Sequence, residues 1–237
     1  MNCLNSLMYN YQTIKHVHLE ISTKCNAACP LCPRNFFGVD IIDDYPLIDM
    51  SLEQAKQIFT KDFLNQLRRI DINGNLGDFV TAKDGVEIVK YFRESNPNLH
   101  IEISTNASAK PNIWEELAKN KVFVEFCLDG LADTHSLYRQ NTNWNLIVDN
   151  AKKFINAGGI ATWKMVLFEH NKHQVEECEV LSKKLGFKTF DLVDHGRNFG
   201  PVFNKHKELT HTLGTPTQSL DFNTAYEHEK IHRKTLF

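Results

Sequence analysis

Six stretches of the chain alternate apolar with polar residues or run apolar, and each is rich in β-branched or large apolar side chains: 17–22, 69–73, 99–105, 122–128, 161–168 and 187–193. A period of two is the signature of a strand whose two faces meet different surroundings. Between these stretches the apolar residues recur every three to four positions. "SLEQAKQIFTKDFLNQL" opens on Ser51, a good N-cap, and carries Leu52, Ala55, Ile58, Phe59 and Phe63 as one stripe. "TAKDGVEIVKYFRES" repeats the pattern with Val86, Ile88, Val89 and Phe92, and "KPNIWEELAKN" is a shorter helix. "NWNLIVDNAKKFINAGG" and "NKHQVEECEVLSKKLGF" meet glycine near their ends, where helices stop. Strand and helix therefore alternate about six times, which predicts an α/β fold with a parallel sheet. Six units are too few for the closed eight-stranded barrel. An open doubly wound sheet or a partial (βα)6 TIM-like barrel remains.

The polar positions of the strands favour the barrel. Parallel strands covered on both faces normally read as continuous apolar runs. Here His18, Glu20 and Ser22 alternate with Val17, Leu19 and Ile21, and His100, Glu102 and Ser104 alternate with Leu99, Ile101 and Ile103. Arg69, Asp71 and Asn73 share one face, as do Glu125 and Cys127. Burying so many charges in a packed core costs several kcal/mol each unless they are paired. A wet lumen avoids that cost. Glu20, Asp71, Glu102 and Glu125 against Arg69 and Lys164 make it acidic. The expected occupant is a polar molecule, one carrying an amine, rather than a lipid. The competing reading is that these groups only pair with one another and fix the sheet.

The alternation stops after residue 193. Residues 194–237 are polar, hold five of the 11 histidines and offer few apolar anchors. The expected organisation is a core domain over 1–193 and a polar C-terminal tail or cap over 194–237. The chain has 237 residues and a formal net charge of -2, so nothing in its bulk charge argues for nucleic acid or an anionic membrane. It has no apolar run long enough to span a bilayer. The N-terminus lacks a basic region followed by an apolar one, so it is a poor signal peptide. A cytoplasmic, reducing setting is expected, where clustered cysteines bind metal or do redox chemistry.

The chain has 6 cysteines, and three of them fall inside "STKCNAACPLC", at Cys25, Cys29 and Cys32. Three thiolates this close hold soft metal. A fourth ligand, from Cys127, Cys178 or a histidine, would complete a structural zinc site. Without a fourth, the set leaves one position open on a [4Fe–4S] cluster, where an external ligand can bind.

"TKCNAACPLC" resembles the signature of radical S-adenosylmethionine (SAM) enzymes, and the likeness runs over residues 15 to 200. In "DINGNLGDF" the resemblance implies that Gly74, Asn75 and Asp78 contact SAM, with aspartate where the family often has glutamate and Phe79 where it has proline. "ISTNA" is similar to the family's Thr-Asn-Gly, giving Asn106, with Ala107 in place of glycine. "CLDGL" is similar to Ser-Leu-Asp-Gly, with Cys127 where a serine often contacts SAM. Leu31 stands where an aromatic residue often lies near the adenine. Lys164 and Asn171 match positions in the molybdenum-cofactor and peptide-modifying branches. There is no cysteine-bearing SPASM extension, so one cluster is expected.

The resemblance implies an enzyme that binds a [4Fe–4S] cluster through Cys25, Cys29 and Cys32. Such an enzyme cleaves SAM reductively to a 5′-deoxyadenosyl radical, which takes hydrogen from a polar substrate: peptide, nucleotide or sugar. It implies a flavodoxin- or ferredoxin-like electron donor. The alternative is a non-catalytic zinc or iron–sulfur module that uses the fold for interaction. His135 lies on the expected ligand side, either touching substrate or capping a loop. His170 and His173 read as a solvated helix start, and the tail histidines match no ligand set.

Overall fold

The computed structural model describes residues 11–41, 46–109, 112–194, 200–213 and 221–227. Its strands are β1 (His16–Leu19), β2 (Asn35–Phe36), β3 (Asp40–Ile41), β4 (Arg69–Ile72), β5 (His100–Thr105), β6 (Phe123–Cys127), β7 (Ile160–Val166), β8 (Thr189–Val193), β9 (Pro201–Phe203) and β10 (Leu209–Thr212). Its helices are α1 (Leu52–Ile58), α2 (Lys61–Gln66), α3 (Gly85–Ser95), α4 (Trp114–Lys119), α5 (His135–Tyr138), α6 (Trp144–Asn156) and α7 (Val175–Leu185). One six-stranded sheet runs in the order β1-β4-β5-β6-β7-β8, parallel at every pairing. This is the partial TIM-like barrel architecture.

The period-two pattern sorts its two faces. Ile70, Ile72, Ile101, Ile103, Val124, Phe126, Ala161 and Trp163 are buried and pack with helix residues such as Val89, Phe92, Trp114, Leu117, Ile147 and Phe154 in one continuous core. The intervening positions, His18, Asp71, Glu102, Glu125 and Lys164 among them, line a cavity of about 300 Å³ on the other face. A polar lumen is therefore present, and its charges also pair with one another, Arg69 with Asp71 and Glu102 and Lys164 with Glu125.

The predicted helix over 51–67 is two helices. Phe59 takes φ -101°, ψ 75° and ends α1, and Thr60 starts α2 by accepting the Phe63 N–H on its hydroxyl. Ser51 caps α1 in a reciprocal capping box with Gln54. The break lets Phe59 and Phe63 both reach the core, where Phe59 packs on Phe92 at 5.2 Å between ring centroids.

Residues after 194 carry more apolar anchors than their composition suggests. β9 and β10 pair as an antiparallel hairpin. Val202 and Leu213 are buried in a cluster with Ala27, Cys29, Tyr138, Val166 and Phe168. Phe203 joins Phe36, Phe37, Phe222 and Ala225 in another. Residues 195–199, 214–220 and 228–237, with His195, His228 and His232, lie outside the described residues, as does Cys3. Among the described residues no helix is long and apolar enough to cross a membrane.

Candidate functional site

The three cysteines lie on the loop that leaves β1. Two turns shape it: the Cys32 N–H donates to Cys29 O and the Asn35 N–H to Cys32 O, each at 3.0 Å. Cys25 Sγ accepts the Ala27 N–H at 3.4 Å and Asn106 Nδ2 at 3.5 Å. Asn26 donates to Ser108 O at 2.6 Å and accepts from Asn106 Nδ2 at 3.0 Å. The loop is thus tied to the C-terminal end of β5, as "CNAAC" and "STNA" would require if they served one site.

Cys25, Cys29 and Cys32 line a cavity of about 470 Å³ together with Leu31, Asp78, Asn106 and Cys127. Gly74, Asn75, Ser104 and Lys164 line both this cavity and the polar lumen. The structure brings together every residue the sequence singled out for cofactor contact. Burial pushes the free Cys25 and Cys29 thiols up to about 12. A metal replaces the proton on such a sulfur, and N–H donors of the kind aimed at Cys25 tune cluster thiolates. Among the described residues no three His, Cys, Asp or Glu side chains are grouped to hold one metal ion. A cubane asks for something else, one thiolate per iron. The donor set, the cavity and the N–H···S bonds fit a [4Fe–4S] cluster. Cys178 is buried in the main apolar core.

The turn after β4 is stitched to the backbone leading into the cysteines. The Asn73 N–H donates to Leu19 O at 2.9 Å and the Asp78 N–H to Lys24 O at 2.8 Å. A Cβ on Gly77 would collide with the Ser22 carbonyl, so this position admits only glycine while the two segments stay in contact. Gly74 has φ 118°, the left-handed region that glycine favours. The Asp78 carboxylate, 5% exposed, accepts from Thr105 Oγ1 at 2.6 Å, the Asn106 N–H at 2.7 Å and the Val80 N–H at 3.1 Å. Burial pushes its pKa up, against those hydrogen bonds. Ala107 holds φ 52°, which explains why glycine suits this place better.

The strand pattern did not reveal Arg139, which lines the cavity, or Asp129, which holds it. Asp129 is fully buried and accepts the Val166 N–H at 2.8 Å and Arg139 Nε at 2.6 Å. Arg139 thereby presents its guanidinium to the cysteine cavity. The signal was available in "CLDGLADTHSLYRQ", but only folding shows that α5 returns Arg139 to Asp129. His135 is 0% exposed. Its Nδ1 accepts the Asp129 N–H at 3.1 Å and its Nε2 donates to Thr142 Oγ1 at 3.0 Å. It caps this loop and does not line the cavity. Asn171 likewise spends its amide on Phe168 N and Val166 O. Lys164 reaches Glu125 at 2.9 Å; burial opposes its charge, and Glu125 more than offsets this, so its pKa is raised.

A family model for the radical SAM superfamily matches residues 19–179. The chain belongs to the radical SAM superfamily. Its cofactors are the superfamily's, a [4Fe–4S] cluster and SAM, and it is an enzyme. Among curated relatives, the FeMo cofactor biosynthesis protein NifB of Methanocaldococcus jannaschii is 26% identical over 120 residues, covering 49% of this chain and 39% of that protein. The NifB of Methanocaldococcus infernus is 27% identical over 110 residues, 45% of this chain and 36% of its own length. The chain thus matches well under half the length of these relatives. Streptococcus suis SuiB bound to precursor peptide SuiA superposes with a TM-score of 0.63 at 17% identity, covering 77% of this chain and 39% of that one. AdoMet-bound anSMEcpe gives 0.60 at 17%, covering 76% and 50%. At such identities the likeness is one of fold.

Proposed function

We propose that this radical SAM enzyme uses SAM to take a hydrogen atom from a polar substrate held in the barrel lumen. The observation that carries this reading is the continuity of the cysteine cavity with the lumen through Gly74, Asn75, Ser104 and Lys164. When bound, the cluster and SAM supply the electron transfer and the 5′-deoxyadenosyl radical; the chain binds, orients and shields. Cys25, Cys29 and Cys32 would hold three irons and leave the fourth for SAM. Arg139, anchored by Asp129, gives the cavity a fixed positive group for a carboxylate. Gly74 and Asn75 bring backbone close to the ligand, Leu31 offers an apolar surface, and Cys127 stands on the wall 3.6 Å from the Ser104 hydroxyl. Asp78 works on the site through Thr105 and Asn106, since both of its oxygens are engaged.

The peptide in SuiB supports a polar substrate class, and the charged lumen of this chain supports it independently. A flavodoxin- or ferredoxin-like protein is the expected electron source. The decisive test is anaerobic reconstitution followed by dithionite and SAM. Formation of 5′-deoxyadenosine with about four irons per chain is the expected result. Full iron content and turnover in a protein carrying Cys25→Ala, Cys29→Ala and Cys32→Ala would refute the assignment.

A further inference from the structure

Asn73 is 2% exposed, follows β4 directly and holds φ 60°. Its Nδ2 donates to Glu20 Oε2 at 3.1 Å and to Ser22 O at 3.0 Å. Both partners are acceptors, which fixes the amide: the opposite atom is the carbonyl Oδ1. That Oδ1 is buried and has no hydrogen-bond partner among the described residues. An acceptor left so is costly to bury. Asn73 belongs to the lining of the polar lumen.

The register sets its neighbours. Ile72 stands opposite Ile103, and Ser104 opposite Glu125. Ser104 and Glu125 are thus neighbours across β5 and β6, and Asn73 follows directly on the last paired residue of β4, all three lining the lumen. Glu125 spends Oε2 on Lys164, and Glu102 spends Oε2 on Arg69 and His100. Neither residue's Oε1 has a partner among the described residues. The residues lining the lumen include Asp71, Glu102 and Glu125 against Arg69 and Lys164, three carboxylates to two permanent cations. What these unspent acceptors lack is a hydrogen-bond donor, since the lumen's two permanent cations, Arg69 and Lys164, are already engaged with Asp71, Glu102 and Glu125. Neighbouring strands lie about 4.8 Å apart, so Asn73 and Glu125, with one strand between them, both fall within reach of one bound group.

We infer that the substrate carries a protonated amine, and that this ammonium seats against Asn73 Oδ1 and Glu125 Oε1, with Glu102 completing the negative side. The inference rests on the lumen being the substrate site. An ammonium offers three donors and no acceptor, which matches the unspent groups. A hydroxyl would satisfy Asn73 but leave the charge uncompensated, and a carboxylate would be repelled.

The test titrates the anaerobically reconstituted full chain with propylamine, 1-propanol and propionate, with and without saturating SAM. The expected result is at least tenfold tighter binding of propylamine than of the other two, retained with SAM present. Glu125→Gln should weaken propylamine about tenfold. Equal binding of amine and alcohol, or an unchanged affinity in the variant, overturns the inference. Loss of propylamine binding on adding SAM also overturns it, because the amine seat would then be the cofactor's own. A second arm needs no variant. Compounds that stimulate 5′-deoxyadenosine release are compared with their N-acetylated forms, and acetylation should abolish stimulation. Equal stimulation by both forms, with SAM cleavage intact, removes the amine seat and leaves the radical SAM reading standing.

Discussion

The Asp78 carboxylate meets the Asn106 backbone N–H at 2.7 Å across 28 positions of sequence. Through this bond the turn after β4 and the end of β5 are one unit, and Asn106 in turn holds Cys25 and Asn26.

Asp78→Ala strands the Thr105 hydroxyl and the Asn106 N–H without an acceptor. The expected loss is about 1–3 kcal/mol for each group left unsatisfied. Urea unfolding of the metal-free chain measures it, and weaker SAM binding to the reconstituted protein should accompany it. An unchanged midpoint would show that the bond carries little.

Gly77→Ala probes the contact between the turn and the cysteine loop. The added Cβ collides with the Ser22 carbonyl, so one segment must move. Iron retained per chain after desalting should fall by more than half, whereas Gly158→Ala, which strains a turn of φ 89° but brings its Cβ within 4 Å of nothing, should spare the cluster.

His135 predicts how stability responds to acid. Burial lowers its pKa from 6.5 to about 4. The unfolded chain therefore binds more protons than the folded one between those values, and stability falls as pH drops through that window. The full effect is about 3 kcal/mol. His170 shifts the same way, to about 4, also by burial. His135→Gln keeps one acceptor and one donor but cannot titrate. Its unfolding midpoint should depend less on pH between 6.5 and 4 than that of the parent. Parallel profiles would contradict the assignment.

Phe203→Ala opens a cavity where the β9–β10 hairpin meets Phe37 and Phe222. A buried phenylalanine lost this way costs about 3–5 kcal/mol. Because Val202 of the same hairpin packs beside Ala27 and Cys29, the cluster's absorbance should bleach several times faster in air. Equal bleaching rates would show that the hairpin does not shield it.

The sheet was legible because period two is a local signal that tertiary packing reinforces: His100 to Thr105 reads alternately half-buried and buried along its whole length. The lumen was legible for the same reason. The break between α1 and α2 was not, since Phe59 and Thr60 continue an acceptable helical stripe and only the placing of Phe59 on Phe92 ends it. Cys25, Cys29 and Cys32 announced themselves by spacing. Arg139 did not, because its importance comes from Asp129, ten positions earlier, which a short helix brings beside it. The hairpin over 201–212 was hidden by its brevity: Val202, Phe203 and Leu213 are too few to make a pattern, yet each is almost wholly buried.

That hairpin also dictates an order of events. The loop bearing Cys29 is made early in synthesis, and the residues that close over it, Val202 and Leu213, are made late. Until they leave the ribosome the loop keeps an open flank. A cluster that met the loop before that point would find it uncovered, and the hairpin would then fold over it.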